Sequence, residues 1–311
     1  MKSNAKCYRK IIAVIEIALL MAGVTRTSRA DQFTKIDVPG ALGVTEPSGI
    51  NAQGDIVGTY FTVVGAFLST RGFLLSKGIF TNIDVDLPYA VPGSTNAIGI
   101  NTEGDIVGFY ASNNNLIEKG FLLSNGIFTA VQAPEPTSMG SSFTITTGVD
   151  PQDDIIGYYF GSNFTSEQSF LLSRGSFTNV NVPGALTNST VANGISSRHD
   201  IVGTYVDSSG IGHGFLLCRG TLTNIEVPGA NAGSISVPTA INPRDDIVGY
   251  YADGTGTHSF LLSKGQFTSF DVPAAFGSGT EAAAINPQGD IVGTYSEPGG
   301  YNVHGFLLRR H

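Results

Sequence analysis

The 311-residue sequence has no tryptophan, only two cysteines and few charged side chains, which account for 14% of its residues. Two cysteines are too few for a disulfide-stapled scaffold, and the 41% of apolar residues excludes a disordered chain. Forty residues are glycine. A helical protein is disfavoured, because glycine weakens helix interiors. The glycines follow no G-X-Y register, which excludes collagen.

The first 30 residues have the three parts of a secretory signal. Four basic residues precede a 14-residue apolar run at 11–24, and Ser28 and Ala30 are the small residues of a cleavage site. The run is short for a membrane-spanning helix, which needs about 20 apolar residues. We therefore predict a signal peptide at 1–30 and a single folded domain at 31–311. An uncleaved anchor or an interfacial helix is the alternative.

Cleavage after Ala30 would leave 11 basic and 24 acidic side chains, a formal net charge of −13. An acidic chain repels phosphate backbones, so the sequence predicts no nucleic-acid partner. It predicts an exported monomer, either secreted or held in the periplasm or cell envelope. We expect no stable insertion into a membrane after cleavage.

The rest of the chain repeats one unit six times. The phrase Gly54–Tyr60 recurs at intervals of 44–50 residues, a period typical of propeller blades or solenoids. A stretch of small residues ending in Ile-Asn comes before it. A phrase with Phe-Leu-Leu and a phrase of the type Phe80–Val85 come after it. Its aspartates are Asp55, Asp105, Asp154, Asp200, Asp246 and Asp290.

Each phrase has the composition of a β-strand, rich in Ile, Val, Phe, Thr and Tyr and bounded by turn residues. An X-Gly pair such as Lys77-Gly78 predicts a two-residue hairpin between the third and fourth strands. The last repeat stops after its third phrase, and the missing fourth phrase stands at Phe33–Pro39. The sequence therefore predicts an all-β, six-bladed β-propeller with four antiparallel strands per blade and a ring closed by the N-terminal strand. A linear solenoid is the alternative, but it would need polar capping repeats.

The repeats carry three further recurring motifs. A His-small-Phe motif starts at His213, His258 and His304, a Pro-Gly motif occurs at Pro228-Gly229, and an Ile-Asn-x-x-Gly motif occupies 285–289. Through these three motifs, residues 33–311 resemble the bacterial extracellular repeat proteins of the HAF family. The resemblance implies secretion and a repeat fold, and it implies no established activity. The first three repeats match less well, because other residues replace the histidine: Arg71, Lys119 and Gln168.

Three histidines could form a zinc site, because histidine nitrogen is a common zinc ligand. Equivalent third-strand positions in a six-fold ring lie about 16 Å from the axis and about as far from one another. Ligands of one ion lie about 3–4 Å apart. We therefore predict hydrogen-bonded histidines at strand starts, with no metal site and no cofactor.

Two other recurring residues are given structural roles. The six aspartates are predicted to fix tight turns by accepting backbone N–H bonds. Calcium is the minor alternative, although the D-x-D-x-D-G loop is missing. The tyrosine that ends each second strand is predicted to pack and to make one hydroxyl hydrogen bond.

The loops on one face of the predicted ring keep a fixed length, whereas those on the opposite face vary. Variable loops on a rigid scaffold are where binding residues concentrate. The first hypothesis is therefore a non-catalytic binding module for a glycan or an envelope or extracellular protein. Drift without function is the alternative. The candidate ligand-binding residues are Phe61, Phe67, Phe160, Phe164 and Tyr301.

The second hypothesis is a secreted hydrolase or lyase with its site at the axial mouth of the ring. Glu46 and Glu281 precede two neighbouring first strands and are the best available acid–base pair. The sequence contains no G-x-S-x-G elbow, P-loop or H-E-x-x-H motif. No catalytic residue is assigned beyond that pair.

Overall fold

The computed structural model describes residues 32–113, 117–134, 143–160, 167–231, 234–273, 279–297, 299 and 302–310. Every regular element in these ranges is a β-strand. The strands form six four-stranded antiparallel sheets, here called blades I to VI. The predicted all-β, six-bladed propeller is confirmed.

The strands follow the four phrases of each repeat. Blade I contains β2 (Thr45–Ile50), β3 (Ile56–Val64), β4 (Phe67–Ser76) and β5 (Ile79–Ile83). Blade II contains β6 (Asn96–Ile100), β7 (Ile106–Ser112), β8 (Ile117–Ser124) and β9 (Ile127–Val131). Blade III contains β10 (Phe143–Val149), β11 (Ile155–Phe160), β12 (Glu167–Ser173) and β13 (Ser176–Val180).

The second half of the ring repeats the pattern. Blade IV contains β14 (Val191–Ile195), β15 (Ile201–Val206), β16 (Gly212–Cys218) and β17 (Thr221–Ile225). Blade V contains β18 (Val237–Ile241), β19 (Ile247–Asp253), β20 (Gly256–Ser263) and β21 (Gln266–Phe270). Blade VI contains β22 (Thr280–Ile285), β23 (Ile291–Ser296), β24 (Val303–Arg309) and, from the N-terminal side, β1 (Gln32–Ile36).

The hairpins between third and fourth strands have the predicted chemistry. Lys77 and Gly78 both take positive φ, 50° and 82°, and Ser76 pairs with Ile79 across the turn. Two successive positive φ angles define the type I′ turn, whose twist matches that of the flanking strands. The same pair of angles recurs in the other four X-Gly turns.

The core lies between the blades and is centred on the phenylalanine of each third strand. These six rings are 0% exposed. Five of them contact an aromatic ring of the fourth strand edge-to-face, with centroids 5.1–5.8 Å apart. Such pairs contribute about 0.5–1.5 kcal/mol beyond the burial of apolar area. The buried phenylalanines are Phe73, Phe121, Phe170, Phe215, Phe260 and Phe306.

The first strands surround the axis, and each contains a β-bulge. In four blades the residue within the bulge donates a hydrogen bond to a backbone carbonyl of the next first strand. Ser48 bonds to Ala97 at 2.8 Å. The other three donors are Thr147, Asn193 and Thr239. The small and polar residues near the axis therefore join neighbouring blades as well as relieving crowding.

The ring closes in blade VI. β1 pairs with β24 over five residues, from Gln32 opposite Arg309 to Ile36 opposite Gly305. The first strands β22 and β2 also pack against each other. The predicted closure by the N-terminal strand is confirmed.

The closing strand makes the contacts that other fourth strands make. Phe33 meets Phe306 edge-to-face at 5.8 Å, and Ile36 is 4% exposed. After β1, the Val38 N–H donates to Thr45 Oγ1 at 3.2 Å. The same bond recurs at the five other blade junctions. The joint that closes the ring is therefore built like the other five.

The predicted signal peptide at 1–30 lies outside the described residues and stays a prediction. In the part of the chain that is described, no helix is long and apolar enough to cross a membrane.

Candidate functional site

The propeller has two faces of different character. On the face here called the fixed face, short turns join the first strand to the second and the third to the fourth. On the opposite face, here called the variable face, loops of different length join the second strand to the third and each blade to the next. Of the predicted ligand-binding residues, Phe61, Phe67 and Phe160 lie at or near strand ends on the variable face.

The three predicted aromatic residues that the structure describes do not form one cluster. Phe61 lies in β3 and is half-buried, whereas Phe67 at the start of β4 is 77% exposed. Phe160 ends β11 in blade III, which is not a neighbour of blade I. Phe164 and Tyr301 lie outside the described residues.

A cleft of about 290 Å³ opens between blades IV and V on the variable face. Its polar side chains include His213, at the start of β16, and Glu226, which follows β17. Its apolar side chains include Ile211 and Ala230. This volume is at the lower end of small-molecule sites, so the cleft suits a small ligand with both polar and apolar surface.

A carboxylate bonds to each ring nitrogen of His213. Nε2 lies 3.1 Å from Asp207 Oδ2, and Nδ1 lies 3.0 Å from Glu226 Oε1. Partial burial alone would lower the pKa of His213, but the hydrogen bonds and charges of these carboxylates outweigh burial and raise it. The imidazole of His213 is therefore held between two carboxylates beside the cleft. Glu226 keeps free acceptor capacity, since its side chain is 65% exposed.

The same arrangement recurs in the next two blades. His258 lies between Asp253 and Asp271, and His304 lies between Glu297 and Asp37. In each blade the imidazole also packs on the tyrosine that ends the second strand. The three histidines are thus hydrogen-bonded at strand starts, as the sequence analysis predicts.

A second polar–aromatic group surrounds Phe160. Its ring lies 5.7 Å from that of Tyr158 in a T-shaped contact. Burial raises the pKa of Tyr158 to about 12, and the charges of Glu167 and Glu118 add to the shift. Sequence reasoning missed Glu118 because it comes from the neighbouring blade, and it missed Glu167 because that residue meets Phe160 only across the strand pair.

The axial mouth contains the predicted carboxylate pair. Burial raises the pKa of Glu46, and the charge of Glu281 raises it further. Glu281 is open to water, yet the surrounding rim removes part of its hydration and raises its pKa too. The two carboxylates therefore lie within electrostatic reach of each other.

The rest of the mouth offers little for catalysis. The residues that align with Glu46 on the other first strands, apart from Glu281, are one amide and three aliphatic side chains. Below them, a cavity of about 330 Å³ is lined mainly by Gly, Ile and Ala. The residues aligned with Glu46 are Asn96, Ile145, Val191, Val237 and Glu281.

On the fixed face, the predicted role of the repeat aspartates is wrong. Asn51 Oδ1, not Asp55, accepts the backbone N–H bonds of the turn, from Gln53 at 3.0 Å and Asp55 at 2.9 Å. The aspartate carboxylate instead accepts a bond from Asn51 Nδ2 at 3.3 Å. Asn51 is the first residue of the turn, so its side chain reaches the N–H groups of the residues that follow. Asp55 ends the turn, and its side chain reaches them less easily.

The repeat tyrosines are buried as predicted, and the predicted hydroxyl hydrogen bond is present at Tyr60, Tyr159, Tyr205 and Tyr251. Their side chains are 2–7% exposed. The Tyr60 hydroxyl donates to Asn82 at 2.9 Å, and the Tyr205 hydroxyl donates to Asn224 at 3.0 Å. These tyrosines are parts of the scaffold rather than free stacking platforms.

No family model matches the chain, and no curated protein matches it. Among solved structures, it is similar to a lectin of Aleuria aurantia in complex with Fucα1-6GlcNAc. That match has 12% identity, a TM-score of 0.53, and covers 86% of this chain and 93% of the lectin. Another structure of this lectin, described as a six-bladed propeller with a fucose recognition mode, matches with 13% identity and a TM-score of 0.51 over 86% and 93% of the chains.

A variant of AofleA from Arthrobotrys oligospora is also similar. It matches with 12% identity and a TM-score of 0.50, covering 88% of this chain and 90% of that one. At these identities the likeness shows the six-bladed propeller fold.

Proposed function

We propose that the protein is an exported, non-catalytic binding propeller that takes a glycan on its variable face. The observation that carries the proposal is the cleft between blades IV and V, where a histidine–carboxylate pair lies beside apolar side chains. The HAF resemblance and the predicted signal peptide support export. The solved propellers of similar fold include lectins whose structures hold fucosides.

The chemistry of the cleft suits a sugar. Glu226 accepts hydrogen bonds from hydroxyl groups, and bonds to a charged acceptor are about twice as strong as neutral ones. Ile211, 51% exposed, and Ala230 offer apolar surface for the C–H face of a pyranose ring. A monosaccharide presents both a polar side and an apolar side, which matches the cleft. An extended protein partner would need a flatter and larger surface.

The test is a glycan array of the purified full chain, followed by calorimetric titration of any hit and of α-methyl-L-fucoside. We expect at least one glycan to bind. The Glu226→Gln variant should weaken its binding about tenfold or more, because a hydrogen bond to a charged group contributes about 1.5–3 kcal/mol.

The matched control is Asp271→Asn, which makes the same chemical change at the equivalent place in blade V. It should leave affinity at the blade IV–V cleft unchanged. The proposal would be contradicted if no glycan on the array binds, or if a glycan binds both variants as tightly as the unchanged chain. Binding of an envelope or extracellular protein instead would point to the other partner class expected from the sequence.

A second candidate, hydrolysis or elimination at the axial mouth, is favoured by one observation. Two neighbouring carboxylates with raised pKa values are a pattern typical of acid–base sites. Turnover of a glycan that disappears in both Glu46→Gln and Glu281→Gln, with Glu226→Gln still active, would favour it over the binding role.

A further inference from the structure

We propose that Asp150, Asp154 and His199 form a binding site for one divalent transition-metal ion on the fixed face, between blades III and IV. Among the residues that the structure describes, this is the one group of three such side chains whose ligand atoms all lie within 4.8 Å of one another. His199 Nε2 lies 2.6 Å from Asp154 Oδ2 and 3.4 Å from Asp150 Oδ2.

The first turn of blade III departs from the repeat. In four other blades an asparagine stands at the position of Asp150, and its Nδ2 donates to the aspartate that ends the turn. In blade IV the donor is Ser196. Asp150 still accepts the backbone bonds of its turn, from Gln152 at 2.8 Å and Asp154 at 3.0 Å, but it brings a carboxylate where the others bring a donor.

Both carboxylates are buried. The side chain of Asp150 is 0% exposed and that of Asp154 is 6% exposed. Two neighbouring carboxylates removed from water carry a large desolvation cost unless a cation pairs with them. The Gln152 amide, oriented to donate, lies 3.0 Å from Asp150 Oδ2, but it is neutral. A metal ion placed where the two Oδ2 atoms and His199 meet would offset that cost.

The ligand atoms of the three side chains converge on one point. His213, His258 and His304 use opposite ring nitrogens for two separate carboxylates, which is hydrogen-bond geometry. His199 instead directs one nitrogen, Nε2, at both carboxylates. The lone pair of that nitrogen and the two carboxylate oxygens therefore face one point and can surround a single ion. The 3.4 Å separation from Asp150 Oδ2 is that of two ligands of one ion, whereas the 2.6 Å separation from Asp154 Oδ2 would widen when an ion enters.

The side chains around the three ligands also favour a cation. Asp153 shares the turn and interacts with Asp105 of blade II. Arg198, beside His199, is already paired with Asp200 of its own turn and with Asp245 of blade V. The groups around the three ligands are therefore mainly acidic, which attracts a divalent cation.

The ligand set indicates the class of ion. An imidazole with two carboxylates suits Zn²⁺ or Mn²⁺ better than Ca²⁺, which takes six to eight oxygen ligands. The His199 side chain is 50% exposed, so water can complete the coordination. The ion would join the turn of blade III to that of blade IV.

The test is titration of the chelator-treated full chain with Zn²⁺ by calorimetry, with metal content measured after dialysis. We expect one ion per chain. His199→Ala should weaken binding by more than the roughly 10–100-fold that loss of an outer-shell partner costs. Asp150→Asn is the sharper variant, because it restores the residue found in four other blades. It should lose the ion while keeping the melting temperature in chelator unchanged or higher.

The matched control is His213→Ala, which removes a histidine flanked by two carboxylates on the opposite face. It should keep the ion. The proposal is overturned if the unchanged chain retains no ion, if Asp150→Asn binds Zn²⁺ as tightly as the unchanged chain, or if His213→Ala removes the ion and His199→Ala does not.

Discussion

The closing strand should contribute as much stability as any internal fourth strand. Ile36 of β1 is 4% exposed, and Ile83, its counterpart in blade I, is 5% exposed. Replacing a buried isoleucine by alanine costs about 2–5 kcal/mol. For a chain of this size that corresponds to a melting temperature roughly 4–10 °C lower. We expect Ile36→Ala and Ile83→Ala to fall in this range and to agree within about 1 kcal/mol, since both side chains end a fourth strand against a neighbouring first strand.

The assay is thermal and urea unfolding followed by circular dichroism, with size-exclusion chromatography to detect association. Thr34→Ala, at an exposed position of the same strand, is the control and should change stability by no more than about 0.5 kcal/mol. Removal of residues 31–39 should destabilise far more than either point variant. It deletes two buried side chains and exposes the edge of β24 to self-association. If Ile36→Ala costs less than a third of Ile83→Ala, or if the truncated chain melts unchanged, the closed ring is not the stable unit.

Three further predictions concern pH, the turns and the blade centres. The pKa values of His213 and His258 are raised in the folded protein. Their charged forms therefore stabilise the fold below about pH 6.5, and this stabilisation is lost as the pH rises through the raised pKa values. Unfolding between pH 5.5 and 8.5 should show that decline, and the double His→Gln variant should show a flatter profile. Asn101→Ala removes the acceptor for two backbone N–H groups and should cost about 1–3 kcal/mol in urea unfolding; a neutral result would contradict the role assigned to the asparagine. Gly249→Ala would place a Cβ 2.0 Å from the Val237 carbonyl oxygen and should lower the free energy of unfolding by at least about 1–3 kcal/mol. An unchanged melting temperature would show that β18 and β19 separate more readily than their packing indicates.

The fold was predictable from the sequence because its information is local and repeated six times. The X-Gly pairs specify hairpins, the Phe-Leu-Leu phrase specifies a buried strand, and the displaced phrase at Phe33–Pro39 specifies the closure. Each signal depends on neighbours in the chain, and the repeats multiply it.

The contacts between blades were not predictable in this way. Ser48 bonds to Ala97, and His199 reaches Asp150 and Asp154 of the preceding blade, at separations of about one repeat. Such contacts depend on the rotation between blades, which no local pattern encodes. The aspartate of the turn was misassigned for a related reason. Both Asn51 and Asp55 can cap a turn, and only the backbone path decides which one reaches the N–H groups.

The pairing of β1 with β24 has a practical consequence. Gln32 lies opposite Arg309, at the end of blade VI that belongs to the fixed face. A tag, linker or solid support attached next to either residue would therefore emerge on that side. The cleft between blades IV and V would still face outward, so immobilisation through either attachment point leaves the proposed binding site sterically free.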